Sequence, residues 1–169
     1  MGTENLFDSF KKSELFGSNS CGKQFDDIET CCKKGAIIPT GIIIRKGDII
    51  DNLTFVYQGY NAVHGGMGGT EIKATLSQGD YIVSVKGMVI YYANQYVIRT
   101  LTFTTKNGNV ISSDPHFSGQ YGFEYTAEKG YHICALFGNA GYYLNSIGFY
   151  TVKQDFKIPG MQNLHRFGL

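Results

Sequence analysis

A threefold internal repeat is the feature that most constrains this chain of 169 residues. A polar residue, then Leu or Ile two positions on and Phe four positions on, recurs at 51–55, 99–103 and 145–149. The three starts lie 48 and 46 residues apart. Alternation with a period of two puts the aliphatic residue and the Phe on one face of a β-strand. Three copies of one all-β unit predict a closed, three-sided barrel or prism, which leaves no sheet edge exposed.

Two further correspondences have the same period. Residues 79–87 match 130–138 at an offset of 51, and turn glycines at 22, 69 and 122 each precede a bulky apolar residue by three positions. Asn107-Gly108 predicts a hairpin turn, because this pair tolerates positive φ. No segment of useful length with helical periodicity is found inside the repeats. The clearest strand candidates are 42–45, 53–57, 71–76, 81–86, 98–105 and 146–152.

Composition excludes several classes of partner. Charged residues make up 17% of the chain, against about 25% in a typical globular protein, and the formal net charge is +1. We therefore expect neither nucleic-acid binding nor electrostatic docking on membranes. No apolar run approaches the length of a membrane span, and the N-terminus has no apolar core typical of a signal peptide. The expected location is cytoplasmic or otherwise non-classical, with the four cysteines reduced.

The repeats suggest a division of the chain into a leader at 1–12, one domain at 13–153 and a tail at 154–169. In the leader, Leu6, Phe7 and Phe10 fit one apolar face of a short helix. A frayed leader, or one that docks on a partner, is equally compatible with the sequence.

Turns at equivalent positions of the three repeats differ in chemistry. Residues 47–51 form a GxxxD turn, and 141–145 keep the glycine but end in Asn145. Residues 95–99 have neither the glycine nor the carboxylate. A carboxylate can accept hydrogen bonds from two neighbouring hydroxyl groups, as in a sugar diol. The first turn therefore has the best acceptor for a sugar.

Glycine-rich loops precede the outer strands of the repeats. Residues 64–69 contain an intact GGMGG sequence, whereas 18–22 and 118–122 keep only one or two glycines. Glycines let the backbone approach a ligand without a Cβ in the way. A GxxxD turn and a facing glycine loop are typical of binding, and nothing in either activates a nucleophile.

The chain resembles the jacalin-related lectins over roughly residues 13–153. The resemblance rests on 22–27 (GKQFDD), 96–103 (YVIRTLTF) and 138–148 (GNAGYYLNSIG), in the family's order. It implies a β-prism I fold of three Greek-key, four-stranded sheets with pseudo-threefold symmetry. It also implies carbohydrate binding without catalysis, metal or cofactor.

The resemblance implies a first sugar site at the last GxxxD turn and the first glycine loop. The corresponding residues are Gly22, Gly141, Tyr142, Tyr143 and Asn145. This chain departs from the family at Asn145, which offers one acceptor and one donor group where a carboxylate offers two acceptors. Loss of a charge-assisted hydrogen bond weakens binding by about 1–3 kcal/mol, so we expect a weakened site.

A second site, by analogy with mannose-binding members such as banana lectin, combines the second glycine loop with the first GxxxD turn. Its residues here are Asp48, Ile49, Asp51, Gly68 and Gly69, and both halves are intact. A third site, with Gln95 and Arg99, lacks the required groups. In the family, cleavage before the glycine equivalent to Gly22 accompanies galactose binding. Gly22 is embedded in this chain, so mannose/glucose-containing glycans are the expected partners.

Simpler interpretations stay open for several residues. The role of Asp48 and Asp51 could be limited to capping a turn, without sugar binding. Asp26 and Asp27 are adjacent and should point to opposite faces of a strand, which disfavours a catalytic pair. The four histidines show no metal-binding spacing, and Cys134 two residues after His132 is not a dyad signal.

The sequence thus predicts a non-enzymatic lectin of the mannose/glucose type. The alternative is a β-prism module that binds proteins and has lost sugar binding. Shallow sugar sites gain avidity through copies, so a homo-oligomer is a candidate assembly. Asn52-Leu53-Thr54 has the N-glycosylation spelling, which matters only if the chain is secreted.

Overall fold

Three antiparallel sheets form the sides of a prism in the computed structural model, which describes residues 5–115 and 122–159. The strands are β1 (Lys11–Lys12), β2 (Phe16–Gly17), β3 (Lys23–Asp26), β4 (Gly41–Lys46), β5 (Ile50–Tyr57), β6 (Tyr60–Gly65), β7 (Thr70–Thr75), β8 (Ile82–Tyr92), β9 (Gln95–Thr105), β10 (Val110–Ser112), β11 (Phe123–Thr126), β12 (Tyr131–Ala140) and β13 (Leu144–Lys153). The six predicted strands correspond to β4, β5, β7, β8, β9 and β13.

Each sheet has the same strand order around a central hairpin. The orders are β7-β4-β5-β6 in one sheet and β11-β8-β9-β10 in another. A fourth strand that returns beside the first is the Greek-key arrangement. The third sheet runs β3-β12-β13, and both β1 and β2 pair with β13. N-terminal strands therefore complete the sheet that the C-terminal hairpin begins, and the expected threefold arrangement is confirmed.

The repeat phenylalanines meet in the core. Phe55, Phe103 and Phe149 are fully buried, one from each sheet. The Phe55 and Phe103 ring centroids lie 5.9 Å apart, and those of Phe103 and Phe149 lie 6.4 Å apart, both edge to face. Edge-to-face packing of aromatic rings adds about 0.5–1.5 kcal/mol per pair beyond area burial. The sequence pattern thus corresponds to the axis of the prism.

A short helix, α1 (Ile28–Lys34), connects β3 to β4 and corrects the expectation that the repeats contain none. Ile28, Cys31 and Cys32 form its buried face, at the spacing of one helical side. Gly35 ends it in the left-handed region, with φ +69°. Two turns are too short for a periodicity search, but the apolar spacing and the terminal glycine were visible.

The leader forms a 3-10 helix (Leu6–Ser9) followed by β1. Phe10 is buried, and its ring packs edge to face on Phe156 at 5.5 Å. Phe7 stays largely exposed. The leader's apolar residues thus contact the beginning of the tail, and the proposed division of the chain stays a prediction.

Two opposite ends of the prism have different characters. The GxxxD-type turns and the glycine loops at 18–22 and 64–69 lie at one end. The predicted hairpin turn lies at the other, where Gly108 has φ +88°. That end also has a cleft of about 400 Å³ lined by apolar residues that include Ile37, Leu76 and Phe156. No helix in the described part of the chain is long and apolar enough to span a membrane.

Candidate functional site

The first GxxxD turn connects β4 to β5 and is closed by its own backbone. The Gly47 N–H donates to the Ile49 carbonyl at 3.0 Å. Ile49 is buried and anchors the turn, whereas Asp48 is exposed. Asp51 follows at the start of β5 and is only 9% exposed. The turn thus holds one acidic side chain at the surface and one half-enclosed in a recess.

The second glycine loop lies directly against the Asp51 carboxylate. A Cβ on Gly69 would lie 2.5 Å from Asp51 Oδ2, and one on Gly68 would lie 3.1 Å from Oδ1. Gly69 also has φ +74°, in the left-handed region where a side chain is strained. Any other residue at position 69 would therefore displace the carboxylate or the loop. The structure brings the two halves of the predicted second site together.

Two side chains that sequence reasoning missed hold this loop. Arg45 donates from Nε to the Gly68 carbonyl and from Nη2 to the Gly69 carbonyl, both at 3.0 Å. Asn52 donates from Nδ2 to the Gly66 carbonyl at 3.2 Å. Arg45 precedes the turn and Asn52 follows Asp51, so both are adjacent to the turn in the sequence. No local pattern indicates that either side chain binds the glycine loop.

Burial is the main cause of the altered pKa of Asp51. It raises the pKa of Asp51 above the ordinary Asp value, and the nearby charge of Asp48 adds to the effect. The Gly47 N–H and the Arg45 guanidinium oppose the rise. Asp51 is thus a partly desolvated carboxylate whose charge is costly without further donors.

The last turn, 141–145, has the same backbone geometry. The Gly141 N–H donates to the Tyr143 carbonyl at 2.9 Å. A Cβ on Gly22, whose φ is +79°, would lie 2.6 Å from Asn145 Oδ1. The residues of the predicted first site are thus also brought together.

The side-chain amide of Asn145, however, is hydrogen-bonded to other residues of the protein. Its side chain is buried, and Nδ2 donates to Gln95 Oε1 at 2.7 Å and to the Tyr96 carbonyl at 3.2 Å. Both acceptors lie at the start of β9. Tyr143 is partly buried, with its ring edge to face on Tyr92 at 5.8 Å. This turn supports the β8–β9 hairpin, and its amide has no free donor.

That the third location is unsuited to sugar stays a prediction. Gln95 accepts from Asn145, and Arg99 is exposed on β9. The facing glycine loop falls mostly at 116–121, outside the described residues.

Adjacent acids and histidines have separate structural roles. Asp26 accepts from the Tyr150 hydroxyl at 2.7 Å, and Asp27 lies 2.7 Å from Nε2 of His64. The two carboxyl groups therefore have different partners. Asp27 precedes α1 and is not on a strand, so the expected placement on opposite strand faces does not apply. His132 is buried, and burial lowers its pKa to about 4. His116 and His165 lie outside the described residues.

No group of three or more metal-ligating side chains occurs within 5–115 and 122–159. The cysteines there are free, and Cys31, Cys32 and Cys134 are buried. Burial raises the pKa of the Cys32 thiol to about 11. Asn52 of the glycosylation spelling is only 3% exposed and bonded to the glycine loop, so the folded chain does not present it.

The chain is similar to known lectin domains in sequence and in fold. The model of the jacalin-like lectin domain matches residues 13–150. Horcolin from Hordeum vulgare is 30% identical over 114 residues, which cover 63% of this chain and 77% of horcolin.

Solved structures share the fold. Wild-type Malaysian banana lectin is 28% identical with a TM-score of 0.69, covering 85% of this chain and 98% of that one. A mannose-specific jacalin-related lectin from Morus nigra, solved with mannose, is 23% identical with a TM-score of 0.69. That alignment covers 90% of this chain and 99% of the neighbour.

Proposed function

We propose, from the premise that the chain belongs to the family of jacalin-like lectin domains, that it binds mannose/glucose-type glycans through the Asp51 turn. The family binds carbohydrate and is non-catalytic. The site consists of the turn residues Asp48, Ile49 and Asp51 and of the facing Gly68 and Gly69.

One observation carries the proposal: Asp51 is a mostly buried carboxylate whose two oxygens lie against Gly68 and Gly69. Two neighbouring sugar hydroxyls can donate to its two oxygens, which supplies the donors that burial removed. Gly68 and Gly69 let the ring approach the loop backbone. Arg45 holds both glycine carbonyls, so the loop is fixed before a ligand arrives.

The Asn145 turn does not share this role in our proposal. Its amide donors bond the β8–β9 hairpin, and the single uncharged Oδ1 beside Gly22 is the acceptor that stays, where a carboxylate would offer two. A monosaccharide in a shallow site binds with about −4 kcal/mol, near 1 mM. Replacement of a charged acceptor by a neutral one removes about 1–3 kcal/mol of this, so one detectable site per chain is the expected stoichiometry.

Preference for mannose or glucose over galactose is carried over from the family's rule on the chain at Gly22, which lies beside Asn145. Gly22 lies between β2 and β3. In jacalin-related lectins, galactose binding accompanies a cut that frees this glycine, which supports the mannose/glucose assignment for the uncleaved chain.

The test is an NMR titration of labelled full-length protein with methyl-α-mannoside and, separately, methyl-α-galactoside. We expect mannoside to shift amides near Asp51 and Gly69 with a Kd near 1 mM, and galactoside to shift none. Asp51→Asn should weaken mannoside binding about 10- to 100-fold, because a charge-assisted acceptor is lost. Asp155→Asn, the same change on an exposed carboxylate at the opposite end, should leave binding unchanged.

Absence of shifts with both sugars at tens of millimolar would contradict the proposal. It would favour the alternative, a β-prism module that binds a protein. Shifts confined to the amides around Asn145 would move the site to the other turn.

A further inference from the structure

The imidazole of His64 lies at the start of the second glycine loop. His64 is the last residue but one of β6, an edge strand of its sheet. Alternation along this strand points Ala62 and His64 inward, whereas Val63 between them is 58% exposed. An imidazole N–H that is turned inward needs a hydrogen-bond partner.

Two contacts attach this ring to the neighbouring sheet. Nε2 lies 2.7 Å from Oδ2 of Asp27, in the connection between β3 and α1. Because an ionised carboxylate only accepts, the proton of this hydrogen bond is on Nε2. The ring also stacks on Phe25 of β3, with centroids 3.6 Å apart and an interplanar angle of 11°. The end of β6 is therefore fastened to a strand of the third sheet.

The contact between His64 and Asp27 is mostly shielded from water. Their side chains are 12% and 13% exposed, and 2.7 Å is the distance of a charge-assisted hydrogen bond. The Asp27 side chain does not cap the helix that follows it. The adjacent Asp26 accepts instead from the Tyr150 hydroxyl and the Ile28 N–H. The Asp27 carboxylate is thus directed at His64 and serves neither α1 nor β13.

The glycine loop reaches the Asp51 carboxylate directly after His64. The Gly66 N–H donates to the Asp51 carbonyl at 2.9 Å. Gly68 and Gly69 then lie against the carboxylate oxygens. Two residue steps span at most about 7 Å, so a displacement of His64 reaches Gly66 with little chain to absorb it.

We propose that His64 and Asp27 are positioning residues for the sugar site, because their hydrogen bond holds the start of the glycine loop as Arg45 holds its end. This inference rests on the proposed function. The action is indirect, through the backbone of residues 65 and 66. Glycine allows the loop many conformations, and anchors at both ends reduce their number. A loop that is correctly placed for only part of the time weakens binding in proportion to that fraction.

The test combines amide hydrogen exchange of the sugar-free chain, read by NMR, with calorimetry of methyl-α-mannoside binding. His64→Phe keeps an aromatic ring against Phe25 and removes the donor to Asp27. Exchange of the Gly66 amide should accelerate at least about fivefold. Methyl-α-mannoside should bind about three- to tenfold more weakly.

Variants of the two neighbouring acids separate the hydrogen bond from general damage. Asp27→Ala should have the same two effects as His64→Phe, and the double variant should bind no more weakly than either single one. Asp27→Asn, whose Oδ1 can still accept from Nε2, should restore part of the affinity. Asp26→Asn, the same change on the adjacent carboxylate with a different partner, should alter neither exchange at Gly66 nor affinity.

The outcomes distinguish this inference from the proposed function. If wild type binds methyl-α-mannoside and the His64 and Asp27 variants bind it equally well, the positioning role is overturned and the Asp51 site stands. The role is also overturned if amides throughout the chain lose protection together, since the pair then serves only global stability. If the wild-type chain binds no sugar, the proposed function fails, and the positioning role in binding fails with it.

Discussion

The Asp51 turn and the Asn145 turn have nearly the same backbone and different side-chain partners. Both are closed by a glycine N–H bond to the residue two positions on, at 3.0 Å and 2.9 Å. Both place a left-handed glycine of a facing loop against the terminal side chain, Gly69 against Asp51 and Gly22 against Asn145. The difference is one functional group. An amide can donate, and Asn145 donates to Gln95 and Tyr96; a carboxylate cannot, so Asp51 is left to accept.

Under our proposal, backbone geometry alone does not make a sugar site in this protein. Two copies of one arrangement can exist in a single domain, and the partner of the last side chain separates them. The amide donors of Asn145 link its turn to the neighbouring sheet and leave one neutral acceptor, whereas Asp51 has two carboxylate oxygens that can accept from hydroxyl groups.

The largest expected effect on mannoside binding comes from replacing the glycine that faces each turn by alanine. Gly69→Ala should abolish mannoside binding, a loss of at least about 100-fold, because the methyl takes the place of the Asp51 carboxylate. Gly22→Ala should leave binding unchanged. Both should destabilise the fold by about 1–3 kcal/mol, since each glycine has a positive φ.

Calorimetry measures the affinities, and urea unfolding measures the stabilities. An equal loss of binding in both variants would show that the two turns share one ligand, which would end the distinction between them.

The next effect concerns stability. Asn145→Asp should lower the free energy of unfolding by about 1–3 kcal/mol, because a buried carboxylate faces the Tyr96 carbonyl and both donated bonds are lost. Asn94→Asp makes the same change in the exposed hairpin turn and should stay within about 0.5 kcal/mol of wild type. Urea unfolding at neutral pH measures both. A stable Asn145→Asp variant that binds a second mannoside would show that the turns are interchangeable.

The smallest effect that we expect near neutral pH is the change of mannoside affinity with pH. Burial raises the pKa of Asp51. As the pH is lowered, mannoside affinity should therefore begin to fall at a higher pH than it would with an exposed Asp. Below the pKa of Asp51 the fall should be up to about tenfold per pH unit. Protonation removes the acceptor, whereas Asn145 does not titrate. Calorimetry over a pH series checks this, and an affinity independent of pH would argue against Asp51 as the acceptor.

His132 sets the lower limit of that series. Its folded-state pKa of about 4 lies below the ordinary His value of 6.5, so the unfolded chain takes up the proton first. Stability due to this group is therefore complete above about pH 6.5 and is lost as the pH falls toward 4. Circular dichroism at each pH separates unfolding from loss of binding.

The sequence predicted the fold well because the repeat places its apolar residues at fixed positions. Phe55, Phe103 and Phe149 were identified from a spacing alone and meet in the core. The helix α1 was missed, since seven residues give less than two full periods.

The turns and loops of the candidate site were predictable from the sequence. The hydrogen-bond partners of its side chains were not. Asp51 and Gly69 belong to one repeat and had a readable pattern. Gln95 lies on a different repeat from Asn145, and no local pattern indicates that one amide accepts from another across two sheets. The same holds for Arg45, whose role depends on where the loop carbonyls point.

The meeting of three phenylalanines has a consequence for cooperativity. In stacked repeat proteins each unit contacts only its neighbours, so a terminal unit can be lost or added. Here every repeat contributes one ring to a common centre, and the N-terminal strands complete the last sheet. No third of the chain can detach without opening the shared interior, so the repeats should unfold together as a single two-state unit.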